Sequence, residues 1–291
     1  VILLLAVLGI VGISASGPIM VATAAPALTI AFWRNALGAV VMGMPAVVGQ
    51  RDAIRRLTRN ELKYSAIAAT ALALHFAAYV TSVKLTSVAG ATALVCLQAA
   101  WIALFQWFRG RRPHRLIVLG LGVALVGVLV ITGFDVGIST EALIGDVLAL
   151  AGGVLAAVYT LAGSRARKSM PTSLYSSICY TIASVILFVM CLAFGQPLVQ
   201  LSPDVWVGII AVTLTAQIMG HTIFNHLLAT ISPLVVSMMI LLEIPGAALL
   251  AGFFLGESLP TGTYVGLVLI LFGLAVVVLH QGRGSFRRRS S

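Results

Sequence analysis

The placement of positive charge constrains this chain more than any other feature of its sequence. Of 18 Lys and Arg residues, 16 fall in four short clusters separated by long apolar stretches. Arg51, Arg55, Arg56, Arg59 and Lys63 form the first cluster, and Arg109, Arg111, Arg112 and Arg115 the second. Arg165, Arg167 and Lys168 make the third, and Arg283, Arg287, Arg288 and Arg289 close the chain. Each gap between clusters has room for two membrane spans. Cytoplasmic loops collect Lys and Arg, so basic clusters recurring after every second span predict a polytopic membrane protein with those four segments inside.

Composition points the same way. Hydrophobic residues make up 60% of the chain and charged residues only 9%, against about 25% charged in a soluble domain. A chain this apolar aggregates in water, so the bilayer is its expected solvent. The net charge of +10 does not signal nucleic acid, because the cations flank apolar spans and form no stripe with interleaved aromatics. Anionic lipid headgroups at the cytoplasmic face are the expected partner. Cys96, Cys179 and Cys191 lie inside apolar runs with no CxxC and no His at ligand spacing. They read as packing residues, and no metal or cofactor is expected. The chain opens at Val1, which suggests trimmed first residues; its opening run lacks a cleavage-site pattern and reads as a true helix.

A span needs about 20 apolar residues. Polar breaks then give ten candidates, near 1–24, 28–49, 62–83, 86–108, 116–134, 143–164, 172–194, 204–227, 233–254 and 261–280. The basic clusters follow spans 2, 4, 6 and 10, which places both termini in the cytoplasm. The connections after odd-numbered spans carry only Lys84 as a cation, with Asp135, Glu141 and Glu257. Long continuous apolar runs exclude a β-barrel, whose strands alternate over about ten residues. The tail, 281–291, is basic, polar and expected to be disordered.

The chain also resembles itself. At an offset of 146, Gly110 falls on Gly256, Gly120 on Gly266, Gly127 on Gly273 and His75 on His221. That register lays spans 3–5 on spans 8–10. Five spans is an odd number, so the second half enters the membrane inverted. The expected organisation is an all-α integral membrane protein of two inverted five-helix repeats, 1–137 and 138–280. Inverted repeats are the signature of secondary transporters, in which two quasi-equivalent halves exchange which end is open.

From Ser232 to Leu259 the chain reads SPLVVSMMILLEIPGAALLAGFFLGESL. A Glu-x-Pro, Glu243 and Pro245, is followed by Gly256-Glu257. With Gly145-Asp146 and the Phe32-Trp33-Arg34 patch, this block resembles the EamA-type ten-helix drug/metabolite transporters. The resemblance implies a transporter, often an exporter, of small metabolites in a bacterial inner membrane. Within that family the chain looks most like the YddG-type exporters of amino acids, aromatic ones included. The first repeat departs from the pattern: Ala99 stands opposite Pro245 and Arg111 opposite Glu257. Glu257 therefore reads as a capping or loop-holding residue.

Polar side chains at mid-membrane depth are costly and are functional suspects. His75, Tyr79 and Ser82 share one face of span 3, and Gln98, Trp101 and Phe105 one face of span 4. Thr213, Gln217, His221 and Asn225 follow at four-residue spacing in span 8. Glu243 and Ser237 lie in span 9, Tyr159 in span 6, and Ser14 with Gly17-Pro18 in span 1. Aromatic members could stack on an apolar side chain or cradle an ammonium group. Gln98, His75, Gln217 and Asn225 could bind the polar ends of an amino acid.

Each suspect has a plainer role as well. His75 and His221 could bond helix carbonyls, and Gln98 could hold two helices together. Trp33 reads as an interface anchor, and Arg34 as a residue that snorkels outward to headgroups. An ionised Glu243 in hydrocarbon is too costly, so it must be protonated, paired or hydrated. It either couples protons, with His221 or His75 as relays, or accepts bonds around Pro245, which lacks an N–H. The second role is favoured. Pro18 and Pro245 are candidate hinges.

Two other classes fit the sequence less well than a carrier. An intramembrane enzyme would need a catalytic pair, but no His-Glu-x-x-His is present and Gly12-Ile13-Ser14-Ala15-Ser16 misses the nucleophile elbow. A receptor would bind a ligand without moving it. No Walker motif is present, so gradients would supply the energy.

Overall fold

The computed structural model describes residues 1–86, 88–110, 113–132, 139–255 and 261–287. Among them the regular structure is entirely helical and falls into ten segments, here α1–α10, with a short turn Arg51–Arg55 after the second. The first four are α1 (Ile2–Ser14 continued by Ser16–Ala22), α2 (Ala27–Gly49), α3 (Arg59–Leu85) and α4 (Val88–Cys96 continued by Gln98–Phe108). Next come α5 (Arg115–Thr132), α6 (Thr140–Ala166) and α7 (Thr172–Ala193). The last are α8 (Pro203–Leu227), α9 (Pro233–Ile240 continued by Glu243–Leu255) and α10 (Thr261–Arg287). Seven are long and apolar enough to cross a membrane; α5, α9 and α10 contribute the shorter apolar helices Arg115–Val130, Pro233–Ala247 and Tyr264–Val277.

Local chemistry sets several of the starts. Thr58 and Glu61 close a reciprocal capping box at the head of α3. Ser139 caps α6 through the Ala142 N–H at 3.1 Å, and Ser232 caps α9 ahead of Pro233. α10 runs on to Arg287, where a disordered tail was expected from Gln281. Extending an existing helix is far easier than nucleating one, so it continues past its last apolar residue. Asp135, Gly256 and Glu257 lie outside the described residues.

Contacts gather the basic segments at one end of the bundle. Gln50 at the end of α2 donates to Ser173 of α7 at 2.6 Å. Arg165 donates to the Tyr64 hydroxyl at 2.8 Å and lies over that ring. Ser169 donates to Glu61, and the His114 and His280 rings stack 4.1 Å apart. At the opposite end the Trp33 indole donates to the Leu198 carbonyl at 2.9 Å and packs edge-on against Trp206. Apolar side chains such as Leu3, Val48, Leu192 and Phe272 coat the outside. An apolar coat of this extent is at home in lipid and a liability in water.

Small residues bring the helices together. α3 buries Ala68, Ala69, Ala71, Leu72 and Ala73. A Cβ at Gly153 of α6 would stand 2.9 Å from the Val95 carbonyl oxygen. The closest seam joins α5 to α10. A Cβ at Gly120 would meet the Gly273 carbonyl oxygen at 2.7 Å, and one at Gly127 would meet that of Gly266 at 2.7 Å. Moving seven residues forward in α5 therefore means moving seven back in α10, so the two helices are antiparallel. The partners are also exchanged. Gly120 corresponds to Gly266 by the 146 offset yet touches Gly273, and Gly127 corresponds to Gly273 yet touches Gly266. Exchange of this kind is what a two-fold axis between the helices produces.

Candidate functional site

Three helices are interrupted, and the interruptions meet. α1 breaks at Ala15, α4 at Leu97 and α9 at 241–242. The α4 and α9 breaks lie at nearly equivalent positions, since Leu97 corresponds to Glu243 by the 146 offset. The Cys96 thiol, ending the first half of α4, donates to the carbonyl of Ile240, ending the first half of α9. Gly246 of α9 packs directly on Ser14, beside the α1 break. Broken helices expose backbone groups that lipid cannot satisfy, so they are tolerated only inside protein or along a cavity.

A cavity occupies this junction. Its lining draws on both halves of the chain: Ile13, Ser16, His75, Phe76, Tyr79, Val95 and Gln98 from the first, and Tyr159, Thr160, His221, Phe224, Asn225 and Glu243 among those from the second. Counted as space that water centres can occupy, its volume is about 50 Å³, room for a few waters. In this conformation the site is nearly closed.

The lining side chains form linked polar contacts. His75 Nδ1 lies 3.0 Å from the Gly152 carbonyl oxygen, and its ring stacks on Tyr79. His75 and His221, equivalent by the offset, have ring centroids 6.4 Å apart. Tyr79 shares a 3.0 Å hydrogen bond with Thr92. Tyr159 donates to Asn225 Oδ1 at 2.6 Å, and Asn225 Nδ2 donates to Ser176 at 3.2 Å. Glu243 opens the second half of α9, where the positive end of the helix dipole favours a carboxylate. Pro245 sits in that first turn, and Pro18 in the first turn of the second half of α1, where a missing N–H costs least.

Of the residues singled out in the sequence, His75, Tyr79, Gln98, Tyr159, His221, Asn225 and Glu243 converge here. Four others do not. Phe105 lines a separate pocket at the basic end with Tyr64, Arg109 and Arg165. Trp101 packs with Ile102, Ala157 and Leu234, and its buried indole N–H has no acceptor among the described residues. A helix face runs the whole length of a helix, while a cavity occupies one level of it. Phe105 is seven residues past Gln98, about 10 Å along the axis. Ser237 donates to its own helix at Pro233.

Gln217 and His221 lie in one stretch of α8, a π-helix from Thr213 to Thr222. His221 lines the cavity, whereas Gln217 turns toward α2. The Gln217 carbonyl accepts from Tyr180 and Thr222 hydroxyls at 3.3 and 3.1 Å.

There Gln217 meets the residue whose expected place the structure corrects. Arg34 is 0% exposed and does not snorkel. Its Nε donates to Gln217 Oε1 at 2.9 Å, and Gln217 Nε2 donates to Asn35 at 3.1 Å. Its guanidinium lies 4.2 Å over the centre of the Phe76 ring, a wall of the cavity. Ala31, Arg34, Asn35 and Gly38 share one helical face, all buried. The signal was available, since two adjacent polar residues beside a glycine on that stripe mark an inward face. Depth within α2 alone, about 10 Å from its start, left snorkelling open.

Comparison with known proteins bears on the whole chain. The family model for the EamA-like transporter family matches residues 1–133 and 143–279. An uncharacterized transporter of Archaeoglobus fulgidus is 22% identical over 255 residues, covering 87% of this chain and 88% of that protein. The uncharacterized transporter YwfM of Bacillus subtilis is 24% identical over 226 residues, covering 72% and 71%. A solved crystal structure superposes with a TM-score of 0.78 at 19% identity, covering 96% of this chain and 97% of the other; at that identity the likeness concerns the fold.

Proposed function

The chain belongs to the EamA-like transporter family, and from that premise we propose that it is a carrier exporting small organic metabolites, with amino acids, aromatic ones included, as the substrate class. Its two inverted five-helix halves, 1–137 and 138–280, rock about the central cavity and open it to each side in turn. The observation that carries this reading is the cavity's double origin. Both halves line it, the equivalent His75 and His221 face each other across it, and the breaks in α4 and α9 meet at its wall. Discontinuous helices at corresponding positions of two repeats mark the substrate site in secondary transporters.

The lining supports the substrate class. Phe76, Tyr79, Tyr159 and Phe224 offer faces for an apolar or planar side chain. Gln98, Asn225 and Glu243 offer polar ends to the rest of the molecule. The basic end faces the cytoplasm of a bacterial inner membrane, beside anionic lipid headgroups, with both termini there. Glu243, at a broken helix, either exchanges a proton with the substrate or holds the α9 break in shape.

Counterflow in proteoliposomes tests the reading. Vesicles loaded with unlabelled phenylalanine are expected to accumulate trace labelled phenylalanine from outside, since a carrier exchanges the two. Failure with every amino acid tried would overturn the amino-acid class and leave other amphiphilic metabolites.

A further inference from the structure

Arg34 is a buried cation with poor company. Its Nε has the Gln217 amide oxygen, and its Nη1 has only the Met20 sulfur, at 3.6 Å. Its Nη2 is buried and has no hydrogen-bond partner among the described residues. No carboxylate is in ion-pair contact with it among those residues; Glu243 is the acid within Coulombic reach. Removing a guanidinium from water without a counter-charge is costly, and such groups are normally paired. An amide oxygen, a thioether and a ring face do not supply that pairing.

The position matters as much as the deficit. The guanidinium carbon lies over the Phe76 ring, which lines the cavity. His221, also in the lining, packs edge-on against the same ring at 5.0 Å. Gln217 fixes the guanidinium from behind and is itself held by Asn35. One nitrogen is therefore anchored and another is left open, a single ring away from the transport site. A planar fork held in this way matches a carboxylate, which it binds through two parallel N–H···O bonds.

We propose that Arg34 is the carboxylate-recognition group of the transport site, with Phe76 as the shutter that turns aside to admit a small organic acid or zwitterion. The inference rests on the carrier reading and narrows its substrate class to carboxylate-bearing molecules. Gln217 and Asn35 are positioning residues, which aim the fork without touching substrate. Glu243, also in the lining, is left to meet the amine or to carry a proton.

The test uses three ligands of one shape: phenylalanine, 3-phenylpropionate without the amine, and phenethylamine without the carboxylate. Binding to purified wild type is read by isothermal calorimetry, and competition by counterflow of labelled phenylalanine. The expected result is that 3-phenylpropionate binds and competes at least about ten-fold better than phenethylamine. Arg34→Gln is expected to abolish that preference and Arg34→Lys to retain part of it. Equal or better binding of phenethylamine by wild type overturns the proposal, and that readout needs no variant to fold. An unchanged ranking in Arg34→Gln overturns it as well. Carboxylate binding that depends on Arg34, without phenylalanine counterflow, supports the recognition site and counts against the amino-acid carrier reading alone.

Discussion

The glycine seam of α5 and α10 and the wall of the central cavity are built from residues 146 positions apart, yet they treat that relation differently. In the seam the glycines at the closest contacts are identical equivalents, Gly120 with Gly266 and Gly127 with Gly273. In the cavity only the histidines match. Tyr79 corresponds to Asn225, and Leu97 to Glu243. The scaffold keeps its symmetry because two helices in backbone contact tolerate only one residue type. The site gives it up because a symmetric pocket would present the same group to both ends of an asymmetric substrate. The Glu243 carboxyl, and Asn225 standing where the first half has Tyr79, then distinguish the two sides.

The sharpest way to break this contrast lies in the seam. Gly127→Leu would drive a side chain into the Gly266 backbone, with a Cβ already 2.7 Å from its carbonyl oxygen. Overpacking costs roughly 1–3 kcal/mol where side chains can shift, and here backbone must move. Loss of monodisperse protein in detergent is the expected outcome. Gly122→Leu, with open space around its Cβ, should elute and melt like wild type. Equal behaviour of the two variants would remove the seam from the account.

Glu243→Gln tests the asymmetric side. If the carboxyl exchanges a proton, uptake driven by a pH gradient should fall at least about ten-fold, equivalent to 1.4 kcal/mol, while counterflow persists. Equal loss of both, with a lower melting temperature, would assign Glu243 to the α9 break. Asn225→Leu comes next. It leaves the Tyr159 hydroxyl without its 2.6 Å partner, which should weaken half-saturation by about 1 kcal/mol, read as a concentration shift in counterflow. The smallest effect is expected at Trp101→Phe. Trp101 lies outside the lining and its N–H has no acceptor among the described residues, so melting should shift by less than about 0.5 kcal/mol with transport unchanged.

How much of this was legible in the sequence depended on the kind of information each feature needs. Charge clusters and span order are one-dimensional, and the segments lie where the polar breaks put them. The equivalence of His75 and His221 was also visible, as was the suspicion attached to Glu243. Facing was harder. Trp101 and Phe105 share a helical face with Gln98, but the cavity occupies only the level of Gln98. Gln217 shares a four-residue spacing with His221 within the π-wound stretch of α8, but its amide is taken up by Arg34 and Asn35. Arg34 could be located in depth but not in azimuth, and azimuth decided whether it met headgroups or the protein interior.

That π winding has a consequence of its own. In an α-helix, removing one residue rotates everything beyond it by about 100°, which would carry His221 and Asn225 away from the cavity. Across Thr213–Thr222 the surplus of residues per turn can be wound out, so a deletion there can be absorbed as a change of pitch. α8 thus carries slack within the cavity wall, and the angular setting of its lining residues His221, Phe224 and Asn225 is a matter of coiling more than of count.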